Sequence, residues 1–143
     1  KSTQDKYFRN VIEKLYNSNR PDQVLFSFLK NQMFVGYGGL VHINFDDKHG
    51  EISFVMNTSL EGKYFYEFWS TYLDLIEEVA FNELGLNKIF VYAFDLRPKL
   101  YEVLIDCSFY EEARLKKHHF YNGEFIDVVI YSKFRNSENP NIN

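Results

Sequence analysis

The chain has 143 residues, 45% hydrophobic and 19% aromatic, with a formal charge of -4. That composition suits one globular domain with a sizeable core and excludes a disordered chain. Lys and Arg are scattered among acids, which argues against a nucleic-acid face, and no apolar run approaches the ~20 residues of a membrane span.

The single Cys107 excludes an internal disulfide and any multi-cysteine metal site, and His42, His49, His118 and His119 lack zinc spacing. No metal is expected, and without a signal peptide the default is a cytoplasmic protein. The start at Lys1, directly in helical sequence, fits a domain excised from a longer chain. Residues 1–134 read as that single domain and residues 135–143 as a polar tail.

Taken in chain order, residues 3–17 place Tyr7, Phe8, Val11, Ile12, Leu15 and Tyr16 on one helical face, and residues 17–22 read as a turn. Strands are predicted at 24–29 and 33–44, the second interrupted by Gly36, Gly38 and Gly39, which mark a bulge or a close backbone approach. A hairpin turn at 46–50 returns the chain as a strand over 51–57, completing an antiparallel meander.

A Gly-bearing turn then opens a long helix over residues 62–84, ~35 Å at ~1.5 Å per residue. Phe65, Phe68, Trp69, Tyr72, Leu75, Ile76, Val79, Ala80 and Leu84 form its apolar face, and Gly85 is placed to cap it. A strand, a turn and a helix N-terminus together make a site suited to a phosphorylated cofactor. Residues 88–95 form a nearly continuous apolar strand, as in a buried central or parallel position. A helix over 98–106 starts with Pro98 at its first position, and strands at 109–115 and 124–134 meet around Asn122-Gly123. The Arg114 to His119 cluster reads as a solvated strand end or loop. The order predicts a mixed α/β domain with one βαβ crossover.

Four phrases, in sequence, carry a family resemblance. FVGYGGLVHI, DDKHG and EISFVM give a glycine-bearing apolar strand, a hairpin and an acid that opens the central strand. Residues 80–89 match an AF-x-x-LGL-x-K/R-I phrase, and residues 103–109 are a VLEKLGF-like segment. Residues 112–115 and 123–127 stand for E-G-x-L-R and G-x-x-x-D elements. From about residue 7 to 134 the chain resembles the GNAT superfamily of acyl-CoA N-acyltransferases, in the branch of the ribosomal-protein N-terminal acetyltransferases. That implies a GNAT-like mixed sheet, mostly antiparallel, with flanking helices; the usual first strand is missing.

The resemblance implies acetyl-CoA as co-substrate and direct attack by an acceptor amine in a ternary complex. The strands after Glu51 and from Lys88 would splay apart, and backbone groups of Val55, Met56 and Asn57 would meet the pantetheine arm like an added strand. Gly62, Lys63, Tyr64, Phe65 and Arg97 would hold its phosphates. The family's phosphate turn reads (Q/R)-x-x-G-x-(G/A); here it is EGKYFY, with Tyr64 and Tyr66 in place of both glycines. A Cβ and a phenol ring there are expected to crowd the coenzyme. Arg97 replaces an Asn, Leu100 a small residue and Ser108 a glycine. Glu51 is the candidate general base, with His42 on the adjacent strand as the alternative. Tyr101 is the candidate general acid, three residues before Leu104, where the family's tyrosine aligns. Cys107 aligns with a core position. The acceptor is expected to be a peptide N-terminus or an amine-bearing small molecule such as an amino sugar, and a homodimer stays open. The alternative reading is a GNAT-fold module with lost or altered coenzyme A binding, acting as a sensing or protein-interaction domain.

Overall fold

The structure is a computed structural model that describes residues 20–135. The helix predicted over residues 3–17 and the tail beyond Arg135 lie outside the described residues.

Six strands form one sheet: β1 (Val24–Lys30), β2 (Met33–Asn44), β3 (His49–Met56), β4 (Lys88–Phe94), β5 (Tyr110–Tyr121) and β6 (Glu124–Phe134), in spatial order β1-β2-β3-β4-β6-β5. β1, β2 and β3 are the expected antiparallel meander, and β3 and β4 are parallel, joined by a crossover helix. β6 inserts between β4 and β5, antiparallel to both. This is the GNAT-like mixed sheet that the sequence predicts.

Helix α1 (Thr58–Glu77) runs on into a π-helical segment, Glu78–Glu83, and α2 (Pro98–Asp106) follows β4. Alternation along the strands decides which face is covered. Ile52, Phe54 and Met56 of β3 and Ile89, Val91 and Ala93 of β4 share one core with Phe68, Trp69, Tyr72, Leu73 and Ile76 of α1 and with Leu100, Val103 and Leu104 of α2. The opposite face presents Val55, Tyr92 and Phe94, all exposed. Aromatic packing centres on Phe54, which stacks on Tyr72 at 3.9 Å and meets Trp69 edge-on at 4.9 Å.

Several predictions of detail need correction. α1 starts at Thr58, not at Gly62, because Asn57 caps it: the Asn57 side chain accepts from the Ser59 backbone N–H at 3.1 Å. The expected Gly-bearing turn is therefore helix, and a single residue connects β3 to α1. Leu75 is exposed, since Leu73 takes the inward position beside Tyr72 and Ile76. β5 extends to Tyr121, so the Arg114 to His119 cluster lies within a strand, across a register shift between Leu115 and His119. The three glycines of β2 mark close approach: a Cβ at Gly38 would lie 2.0 Å from the Ser53 carbonyl oxygen.

Candidate functional site

The feature that makes a site is the way β3 and β4 part. They pair at His49↔Lys88, Gly50↔Ile89 and Glu51↔Phe90, and the parallel ladder ends there. β3 stays bonded to β2 as far as Met56, and β4 to β6 as far as Phe94. Past Glu51 the two strands form a fork. Among the described residues, the β4-facing edge of β3 from Ile52 to Met56 has no ladder partner, so its backbone groups are available to an extended ligand. Of the predicted contacts here, Val55 is exposed on the open face, whereas the Met56 side chain is buried in the core and offers only its backbone. The Asn57 backbone N–H donates to the Val35 carbonyl at 2.7 Å, and its side chain is the α1 cap.

Glu51 stands at the apex of the fork, between Val41 and Phe90 in register. Its Oε2 lies 2.7 Å from His42 Nδ1, so the two candidate bases form one unit. The Glu51 side chain is 22% exposed and that of His42 is 79% exposed. His42 occupies a left-handed backbone conformation, φ 49°, inside the register shift between Val41 and Asn44.

A second recess of about 470 Å³ opens between the first turns of α1 and α2. Glu61, Gly62, Phe65, Leu96, Arg97 and Lys99 are among its lining residues. Arg97 and Lys99 at the start of α2 make it suited to anions. Glu61 opposes them, with its carboxylate 3.7 Å from the Arg97 guanidinium, which also lies 5.7 Å from the centre of the Phe65 ring. A Cβ added at Gly62 would meet nothing within 4 Å, so the helical backbone is open there. Lys99 was not foreseen as part of the recess; Pro98 at the first position of α2 is the signal that a second helix start faces it.

The two tyrosines at the phosphate segment point elsewhere. Tyr64 stacks on Phe68 at 5.3 Å against the core, with Lys63 Nζ 5.2 Å from its ring centre. The Tyr66 hydroxyl donates to Asp106 Oδ2 at 2.8 Å, a contact that raises its pKa. Helical geometry explains both: once α1 begins at Thr58, position 64 lies one turn before Phe68 and position 66 reaches α2. Neither ring lines the recess.

Tyr101 packs parallel to Tyr131 at 5.2 Å, and its hydroxyl donates to the Phe94 carbonyl at 2.9 Å. Burial first, and then the charge of Asp95, push its pKa up to about 12. Cys107 is half-buried at the end of α2, and burial raises its thiol pKa, which disfavours the nucleophilic thiolate. Ser108 adopts φ 67° where the family has glycine.

A fork at the centre of a mixed sheet, with an acid at its apex and an anion-suited recess at its mouth, defines an acyl-CoA-dependent transferase. The sequence matches the model of the family described as an acetyltransferase (GNAT) domain over residues 1–130, and the chain belongs to that family. It is an N-acetyltransferase with acetyl-CoA as co-substrate, and it transfers acetyl groups to an amine. Among solved structures, mutant forms of the spermidine/spermine N-acetyltransferase SpeG from Vibrio cholerae are similar, with TM-score 0.74 and 25% identity over 88% of this chain and 76% of that one. SpeG in complex with manganese ions gives TM-score 0.76 at 23% identity, covering 91% and 74%. A dodecameric spermidine N-acetyltransferase structure from the same organism gives 0.75 at 22%, also covering 91% and 74%. The last two likenesses speak for the fold alone. Among the described residues no helix is long and apolar enough to cross a membrane.

Proposed function

We propose that this domain acetylates a primary amine of a small cationic acceptor by direct attack in a ternary complex, with Glu51 as general base. The observation that carries the reading is the place of Glu51, the last paired residue of β3 before the strands part. When bound, acetyl-CoA supplies an acetyl group activated as a thioester. On the open edge of β3 the backbone of Met56 is placed to offer hydrogen bonds to its pantetheine arm, whereas the Asn57 N–H is taken by the Val35 carbonyl and Val55, two residues before it, turns its backbone to β2 as well. Arg97 and Lys99, beside the open surface of α1 at Gly62, receive its phosphates. Glu51 takes the proton from the acceptor ammonium, directly or through water; the neutral amine then forms its bond to the carbonyl carbon, the carbon–sulfur bond breaks, and the second proton lost by the nitrogen passes through solvent to the departing thiolate, giving the amide and free coenzyme A thiol.

The contacts of Tyr64 with Phe68 and of Tyr66 with Asp106, away from the recess, support coenzyme binding over the reading of a module that has lost it. Lys63 and Tyr64 take a lesser part than the sequence suggests, since Lys63 lies over the Tyr64 ring and neither residue lines the recess. Calorimetric titration with acetyl-CoA separates these roles. Arg97→Ala is expected to weaken binding about tenfold, as for loss of a charged hydrogen bond, and Lys63→Ala less than about threefold. The reverse order would move the phosphate site to Lys63, and no binding to the unmodified protein would sink the reading.

For the acceptor, the likeness to a spermidine/spermine N-acetyltransferase supports a polyamine. So do the exposed rings of Tyr92 and Phe94 on the open face beside the fork, which suit an alkylammonium. Turnover of spermidine, a peptide N-terminus and an amino sugar under one set of conditions tests this. Preference for the peptide or the sugar would overturn the acceptor while leaving acetyl transfer in place.

A further inference from the structure

We infer that His42 is a positioning residue for Glu51: its imidazole holds one carboxylate oxygen so that the other faces the amine. The inference rests on the reading of Glu51 as the base. A carboxylate only accepts, so the 2.7 Å contact puts the proton on His42 Nδ1 and aims it at Glu51 Oε2. Oε1 is then the oxygen left to the ammonium or its water.

The backbone at this position points the same way. His42 carries φ 49°, a left-handed conformation uncommon within a strand. It does so inside the irregular stretch of β2 between Val41 and Asn44, and irregularities of this kind re-aim side chains beside active sites. Without the shift, residue 42 would alternate to the opposite face from Val41, the residue that faces Glu51 across the ladder. The register shift, with its left-handed residue, is what turns the imidazole toward the carboxylate. A contact this exposed adds little to folding, since the His42 side chain is 79% exposed.

The test separates backbone from donor. His42→Gly keeps the left-handed conformation and removes the donor; His42→Asn keeps both, because an amide N–H can replace Nδ1–H and Asn tolerates positive φ. His42→Gly is expected to lower kcat about tenfold or more with KM for acetyl-CoA unchanged, and His42→Asn to recover kcat to within about threefold. In a Glu51→Gln background, adding His42→Gly should cost nothing further. Nitrogen NMR of the neutral imidazole should show the Nδ1–H tautomer, and Glu51→Gln should shift that equilibrium, a readout independent of turnover. Wild-type kcat in His42→Gly, with Glu51→Gln slow, would overturn the role of His42 alone. An equal loss in His42→Asn and His42→Gly would overturn the donor. Wild-type kcat in Glu51→Gln would bring down the base and the positioning role together.

Discussion

At the scale of single residues, the site depends on which hydroxyl or carboxylate already has a partner. Tyr101 was legible as a candidate acid from its distance to the aligned tyrosine position, but the direction of its hydroxyl was not. It donates to the Phe94 carbonyl while its ring stacks on Tyr131. Tyr101→Phe keeps the ring and removes the bond, and is expected to lower stability by about 1 kcal/mol with kcat within about threefold. Thermal melting and turnover check this together; a tenfold fall in kcat would give the proton-donor role to Tyr101. The Glu51 and His42 pair shows the same limit of sequence reading. Each residue was recognisable as a candidate base from its strand, yet their contact depends on a left-handed residue inside a strand, which no alternation pattern announces.

At the scale of elements, α1 and the β5–β6 hairpin show how local chemistry decides boundaries. The apolar periodicity of α1 was plain, but its start was set by Asn57, whose side chain caps the helix upstream of Gly62. In the hairpin, Lys117 adopts φ 50° within the irregular part of β5, and its backbone N–H donates to Asp127 Oδ1 at 2.9 Å. Lys116 and Arg114 reach the other oxygen at 3.0 and 3.3 Å. The backbone bond first, and then Lys116, lower the Asp127 pKa from 3.8 to about 2. A carboxylate with a depressed folded pKa contributes stability above its unfolded pKa and loses it as pH falls through the folded one. This contribution should therefore be complete above pH 3.8 and disappear toward about pH 2. Asp127→Asn is expected to be less stable than wild type at neutral pH, with the gap closing through that window. Denaturation midpoints measured from neutral pH down through that window check the sign; a constant gap would show that Asp127 acts through packing instead.

At the scale of the whole molecule, the fork exists because β3 and β4 each remain bonded to a different neighbour. β2 and β3 approach so closely at Gly38 that a Cβ would fall 2.0 Å from Ser53 O and 2.7 Å from the Phe54 Cα. Behind them the Tyr72 hydroxyl donates to Ser53 O at 2.6 Å, tying α1 to the same strand, and burial raises its pKa. Gly38→Ala is expected to cost more than about 2 kcal/mol, because backbone rather than a flexible side chain blocks the methyl group. It should also weaken acetyl-CoA binding, since displacing β3 moves the open edge. Chemical denaturation and calorimetry on one variant test both. A stability loss with unchanged affinity would separate the β2–β3 seam from the coenzyme site.

The sequence by itself determined the element order, the meander, the crossover and the family, because period-2 and helical patterning, Gly and Pro punctuation and ordered motif spacing are local properties of the chain. It also brought Glu51 and Arg97 forward as candidate site residues by their place within those motifs. Only the tertiary structure decided that the β3–β4 ladder stops at Glu51, that His42 meets its carboxylate, and that Tyr64 and Tyr66 turn away from the recess. These depend on which strand each edge bonds and on the rotation of a helix about its own axis. Both are set by packing between residues distant in sequence, where a shift of one position reverses the face that a side chain presents.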